Sequence, residues 1–565
     1  MRLGIILALC LVFALPVASD VNFSQCLLDF RNKTHPDQLA AGRDNHGHQV
    51  TEFQDATALS YTYCKDVCGT SSEPFSWSDF SQQFSAWLLP WLALLSNLPF
   101  SAHDIIDDVR SMVLTVGSPM LAAYSLAVTV INSRWLTRQL AKYQKHSGKK
   151  PIKTLIEVLT RIQQCPVKFL KFDQLETSLS PIDEEWWEDM LARLSVGHTW
   201  SISAATSVGW VIIAYIFTVV DSLTSTNNID QSVNSAGQGV GSLWLWLLTI
   251  VVGWLQFSPK TTAENMTKAD EAPLPRPVDG KQPKKVFEFR PRTAGSALRR
   301  DEYRIPPVFN YSRVLPWAAD VMKVEAALRR IEEKANPSSE AEKVVSDPLL
   351  PVDASPVYSI WKCGILPNMA AASFFAFVLQ WGTTGSAIIV SVFTPTVGLG
   401  CRSFSFLIYG VVSTVIWLLF VTSSILTYIA VQKARQTTEY KLTGDYEDPK
   451  YPTQFKDSLR KDRWYRVTRK SAVYLRRAAK LLAWLNAAWI MSVCFFQFTN
   501  FYDRCYCNSS VLGLGTRFGY SVIEYTMDDK RSMRKAWTGG VVVGLSSSFV
   551  FATFIALQLN PYIAQ

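Results

Sequence analysis

Seven stretches of this chain are long and apolar enough to cross a bilayer, at about 112–131, 200–220, 242–258, 364–381, 404–430, 479–499 and 540–559. The polar segments between them are not alike. Those at 132–199, 259–362 and 432–480 hold 11, 18 and 14 Lys and Arg residues, whereas 20–111, 221–241, 382–403 and 500–539 hold 5, 0, 1 and 6. Basic residues gather on the cytosolic side of inserted spans, so the alternation orients the chain as well as dividing it. The pattern predicts an all-α membrane protein with about seven transmembrane helices, a small disulfide-bonded N-terminal ectodomain over 20–84 and large cytosolic loops.

Finer periodicity fills in the segments. Residues 85–100 are apolar but carry Pro90 and Pro99, with Trp87 and Trp91 four apart. Together with the acidic loop to 111 they read as an outer interfacial segment anchored by tryptophans, not as an eighth crossing. Gly117 and Pro119 predict a kink in the first of the three spans within 112–258. In the cytosolic loop 132–199, Ile152, Leu155, Ile156, Leu159 and Ile162 recur at helical spacing after Pro151. Ser180-Pro181 and the acidic run to Asp189 predict a further helix start, with Trp186 and Trp187 against the cytosolic interface. The connector 221–241, rich in Ser, Asn and Gly, suits a flexible outer loop. The loop 259–362 is Pro-rich and charged, and much of 259–315 is expected to be disordered. An amphipathic helix near 318–334 follows, with Val321, Val324, Ala327, Leu328 and Ile331 on one face. The segment 386–400 is apolar but broken by Pro395, Gly398 and Gly400. An extra crossing there would spoil the alternation, so it reads as a re-entrant-like segment between the two helices of 363–431. The basic cytosolic loop 432–480 and the last two spans of 481–565, joined by the outer loop 500–539, complete the map. No internal repeat divides the spans into similar halves, which weighs against an inverted-repeat transporter.

Composition changes this picture little. The chain is 48% hydrophobic with a net charge of +9, but the positive excess lies beside apolar spans. The expected partners are therefore the lipid bilayer, anionic lipids met by basic loops such as 281–304, and unidentified proteins, with no nucleic acid. Arg2, the apolar run 3–15, Pro16 and Val17-Ala18-Ser19 read as a signal peptide over 1–19. That places the N-terminus outside, at the plasma membrane or another secretory-pathway membrane. Of ten cysteines, Cys10 leaves with the signal, and Cys165, Cys363 and Cys494 fall in a cytosolic loop, at a membrane edge and inside a span. The other six, Cys26, Cys64, Cys68, Cys401, Cys505 and Cys507, fall on the outer side and are expected to form three disulfides. Their connectivity stays open, except that Cys505 and Cys507 are too close in sequence to pair readily. The sequons at Asn22, Asn32 and Asn508 are outer-side glycosylation candidates. Those at Asn265 and Asn310 are cytosolic and expected to be silent.

The strings Thr394-Pro-Thr-Val-Gly-Leu-Gly-Cys401-Arg402-Ser and Asp503-Arg-Cys505-Tyr-Cys507-Asn-Ser-Ser resemble those of a family of uncharacterised multi-pass integral membrane proteins of filamentous fungi. The resemblance extends over most of the chain. It implies the membrane architecture and a fungal source, and no activity, ligand or catalytic residue.

Candidate chemistry is sparse. His103, Asp104, Asp107 and Asp108, and separately Asp44, His46 and His48, have metal-ligand residue types, but solvated loops explain them better. No metal, cofactor or catalytic residue is expected. No His-Glu-x-x-His, phosphate loop or Gly-x-Ser-x-Gly element occurs. The spans carry almost no ionisable residue, only neutral polars such as Gln380, Asn486 and Gln497, which counts against a proton-coupled carrier. Small residues at Ala370, Ala371, Ala372, Ser373, Gly544 and Ser546 to Ser548 favour close helix packing. The expected function is a non-enzymatic sensor or scaffold. The alternative is a channel or facilitative transporter whose pathway uses 386–400.

Overall fold

A computed structural model of the chain describes residues 21–33, 35–98, 100, 105–144, 149–165, 167–169, 179, 184–194, 200–224, 243–257, 268–269, 271, 287–289, 297–306, 308–335, 364–442 and 462–559. The signal segment, His103, Asp104, Asn265, Cys363, most of the connector 221–241 and most of 259–296 lie outside the described residues.

The chain is mostly helical. In order, its main helices are α1 (Phe23–Arg31), α2 (Leu89–Leu95), α3 (Ile105–Gly117), α4 (Pro119–Leu140), α5 (Lys149–Ile162), α6 (Glu184–Leu194), α7 (Ile202–Thr224) and α8 (Leu245–Gln256). They continue with α9 (Val314–Ala335), α10 (Ile365–Val392), α11 (Cys401–Leu442), α12 (Arg463–Phe498) and α13 (Met527–Leu559). Five, in α7, α10, α11, α12 and α13, are long and apolar enough to cross a membrane. The bent pair α3–α4 makes a sixth if counted as one span, and α8 is apolar but shorter. Such helices mark a membrane-embedded protein, because a spanning segment must satisfy its own backbone hydrogen bonds.

The centre of the bundle is α4. Every residue from Pro119 to Val130 is buried, as expected of a helix that is apolar all round. It packs against α10, with α8, α11, α5 and α13 around it. α10 and α13 approach closely: a Cβ on Gly382 would lie 2.2 Å from the Ser547 side chain, and one on Gly540 would lie 2.6 Å from Val390. Ser386 donates to the Gly540 carbonyl at 2.6 Å. Small residues at helix contacts are the usual means of such an approach.

Several expectations need correction. α10 runs unbroken to Val392, so 386–392 belongs to a helix, and the non-helical segment shrinks to 393–400. The first residue that removes a backbone donor is Pro395, and the Ile and Val before it are tolerated inside a helix whose face is packed. Within the segment 85–100, Trp91, Leu94, Leu95 and Leu98 are buried in the main core, where α2 meets α7 and α8, while Leu89 is exposed. Trp186 and Trp187 of α6 are likewise buried, edge to face at 4.8 Å. The residues 297–306 and 308–315 are ordered and largely buried, within the stretch 259–315 of which much was expected to be disordered. α5 and α9 form where the spacing places helices, and Ile152, Leu155, Leu159, Val321, Val324 and Leu328 are all buried.

The N-terminal module is not independent. Strands β1 (Gly42–Arg43) and β2 (Ala58–Ser60) pair with Gly42 opposite Leu59. A separate pair joins β3 (Val167–Phe169) to β4 (Phe287–Phe289). The edge of the first sheet is completed by β5 (Tyr520–Val522), with Ala58 opposite Val522. A strand from the loop after α12 therefore finishes a sheet begun near the N-terminus, and the boundary at residue 84 does not isolate a domain.

Candidate functional site

Three polar assemblies lie along α11 and α12, one at the cysteine end of the pair, one part-way along and one nearer the basic end. The first is the cysteine end. Cys26 is bonded to Cys68, Cys64 to Cys505 and Cys401 to Cys507. The first bridge closes the N-terminal module, the second ties it to the loop after α12, and the third ties that loop to the first residue of α11. Beside them Arg402 and Asp503 form an ion pair at 2.6 Å with both side chains nearly inaccessible, at 7% and 6%. Ser405 and Tyr502 are 3.2 Å apart. Thr396 donates to the Asn508 carbonyl at 2.5 Å, and Ser510 donates to the Thr396 carbonyl at 3.2 Å. Gly398 holds φ +138 with Ser510 close by, a backbone region that suits glycine.

Among the glycosylation candidates, Asn22 is exposed and caps α1 by accepting from the Gln25 N–H at 2.9 Å. Asn32 is exposed at the other end of that helix. Asn508 is half-buried, and its amide donates to Asp503 at 3.4 Å. Asp44 accepts from the backbone N–H groups of His46 and His48 and from the His48 ring. Burial acts to raise the Asp44 pKa, and these hydrogen bonds outweigh it and hold the carboxyl below its ordinary value. This is a turn cap. Among the described residues, no group of three or more His, Cys, Asp or Glu could hold a metal ion.

The second assembly sits part-way along, at the break between α3 and α4, which bends by 101°. Ser118 caps α4 and donates to the Ser413 carbonyl at 3.1 Å. Ser413 donates to Gln380 at 3.0 Å, and Gln380 donates to Thr384 at 3.0 Å. Asn486 donates to the carbonyls of Gly117 at 2.8 Å and Tyr409 at 3.2 Å. Tyr409 donates to the Val116 carbonyl at 2.7 Å. Breaking a helix frees carbonyls that lipid cannot satisfy, and α11 and α12 supply the partners. Ser413, Gln380 and Asn486 each lie 12 residues from the helix end at Cys401, Val392 and Phe498, or about 18 Å. That is roughly the middle of an apolar layer about 30 Å thick. The expected kink at Gly117 and Pro119 is thus a full break. A Cβ on Gly117 would lie 2.1 Å from the Ala483 carbonyl.

The third assembly is nearer the basic end. Asp301, 1% exposed, receives Lys480 at 2.8 Å, Tyr311 at 2.8 Å and the Arg476 Nε at 3.1 Å. The last contact is an ion pair without hydrogen-bond alignment. Arg476 also donates to Thr427 of α11 at 2.9 Å and to the Ala297 carbonyl at 3.3 Å. Burial pushes the Asp301 pKa up, but the Lys480 and Arg476 charges overcome it and hold the carboxyl below its ordinary value. Arg313 closes the loop by donating to the carbonyls of Glu302 at 2.9 Å, Pro306 at 3.3 Å and Ile305. Nearby Asn310, fully buried, donates to Thr129 at 3.2 Å, and Gln163 donates to the Thr129 carbonyl at 3.1 Å. Asn486 and Gln380 were visible as polar residues in apolar runs. Asp301 and Arg476 were not, because in sequence they look like members of a charged loop and a charge cluster. Compared with protein-family models, curated proteins and solved structures, the chain matches none.

Proposed function

We propose that this is a seven-span protein of the plasma membrane or another secretory membrane, with the cysteine end outside and the basic end in the cytosol. In it, α11 and α12 act as a non-enzymatic sensor or scaffold. The observation that carries the reading is that one helix pair is held at the cysteine end and again about 20 Å short of its basic end, at Arg476, Lys480 and Thr427. Disulfides and the Arg402–Asp503 pair fix it to the cysteine module, and Asp301 fixes it to the 297–313 segment. The two helices, of 42 and 36 residues, reach about 63 and 54 Å, well beyond a bilayer core of about 30 Å. A displacement of the module is therefore delivered to the far end of rigid rods, where charged side chains can meet cytosolic proteins.

Hydrogen exchange of the full chain in detergent tests this. The double substitution Cys401→Ser with Cys507→Ser should raise exchange in 297–313, at the opposite end. Changes confined to 393–402 and 500–526 would sink the coupling. A facilitative transporter is the second reading, favoured by the break at Gly117–Ser118, since broken helices at half depth can present backbone groups to a solute. Flux of small polar solutes into liposomes by the unmodified protein would select it.

A further inference from the structure

The exposed face of α12 at the basic end changes chemistry along its length in a regular way. Lys470, Tyr474, Arg477, Leu481, Trp484 and Ala488 recur at spacings of three and four, so they form one stripe, and all six are exposed. Tyr474, Leu481 and Trp484 are 65%, 62% and 48% accessible, too much for residues packed in the bundle. The stripe is cationic and aromatic above, and apolar below. Neither Lys470 nor Arg477 has an ion-pair partner among the described residues. Its neighbour Lys480 is turned inward to Asp301.

The dimensions fit a lipid. The apolar part of α12, 481–498, is about 27 Å long, close to the thickness of a hydrocarbon core. Measured along the axis, Arg477 lies about 6 Å above its edge and Tyr474 about 10 Å above, the depth of headgroup phosphates. Lys470 stands higher, and its flexible stem lets its ammonium reach down. We propose that this stripe binds one anionic glycerophospholipid of the leaflet at the basic end. Arg477 and Lys470 hold the phosphate and the additional headgroup charge. Tyr474 lies against the headgroup, and an acyl chain runs along Leu481, Trp484 and Ala488. A neutral lipid offers the same chain but leaves the two cations without a compensating net charge, so the headgroup is selected by charge complementarity.

Native mass spectrometry of the detergent-solubilised full chain decides it, with dioleoylphosphatidylserine and dioleoylphosphatidylcholine as probes, because the two share their chains. The phosphatidylserine adduct should be retained and the phosphatidylcholine adduct lost. The double substitution Lys470→Gln with Arg477→Gln should weaken the former about 30-fold, the equivalent of about 1 kcal/mol per basic residue. Arg463→Gln, on the same helix but about 27 Å from the apolar edge, should leave binding unchanged. Equal retention of both lipids overturns the proposal. So does an unaltered adduct in the double variant, or a loss in Arg463→Gln as large as in the double variant, which would make the attraction diffuse. All substituted side chains are exposed, and an unchanged melting temperature separates lost binding from lost folding.

Discussion

Two cations and a phenol converge on the buried Asp301 carboxylate, so its removal leaves Arg476, only 8% exposed, with no counter-charge. Breaking a buried pair from one side costs about 3–5 kcal/mol. Lys480 is 42% exposed and recovers water, so Asp301→Ala should fall near the lower end, read as a fall in melting temperature in detergent. An unchanged melting temperature would show that the cluster is not stabilising. The same carboxyl predicts a pH dependence. Its folded pKa lies below the ordinary 3.8, so its contribution is complete above 3.8 and fades as pH falls from there toward the depressed folded value. Wild type should lose stability on acidification below 3.8 more steeply than Asp301→Asn. Gly117→Ala is the second residue-scale case. The new methyl would have to displace the Ala483 backbone, so a loss of about 1–3 kcal/mol is expected. A neutral result would mean that the break can relax. Only part of this was readable beforehand. Asn486 stands out as an amide in an apolar run, whereas Asp301 sits more than 170 positions from Arg476 and carries no local mark of its partner.

Elements were legible where one face met a core and nothing competed. The spacing of Ile152 to Ile162 and of Val321 to Leu328 marks α5 and α9, because helical periodicity reports burial directly. The segment 386–400 misled because its proline and glycines lie at its end, while Ser386 to Val392 are compatible with helix and are held there by α13. The strands could not be read at all. They are two and three residues long, and β5 joins β2 from more than 450 positions away, so their pairing depends on the disulfides and the packing around Tyr520 and Val522. Gly382→Val probes the α10–α13 contact on which the longer α10 depends. Its side chain would overlap Ser547, already 2.2 Å from an added Cβ, and the folding yield of the membrane-inserted protein should drop. Gly385→Ala, where an added Cβ meets nothing within 4 Å, should leave it unaffected. Equal yields would place the two helices further apart.

At the scale of the whole molecule, two cross-links limit how often the chain can cross. Cys64–Cys505 and the β2–β5 pairing put the N-terminal module and the loop after α12 on one side, so the number of crossings between them is even. Lys142 and Glu325 are 2.6 Å apart with their side chains 52% and 25% accessible, and such charges belong in water rather than in hydrocarbon. They share a side, so the crossings between 142 and 325 are also even. α7 is long and apolar enough to span, so the second condition requires the shorter α8 to cross with it. In the proposed topology α7, α8, α10, α11 and α12 would make five crossings before residue 505. The first condition would then require a sixth, which the bent α3–α4 pair would supply, and α13 would make the seventh of the proposed topology. An extra span at 85–100 would make the first count odd. A glycosylation acceptor inserted at 443–461 should therefore stay unmodified. Asn22 and Asn32, exposed at the cysteine end, should carry glycan that a glycosidase removes. The deciding case is a single free cysteine placed at exposed Lys153, in a chain with Cys165, Cys363 and Cys494 replaced. In intact cells an impermeant maleimide should not reach it if, as proposed, α3–α4 crosses before it and the basic end is cytosolic. Labelling there would mean either that α3–α4 does not cross or that the basic end faces outward, and in either case the proposed topology would fall.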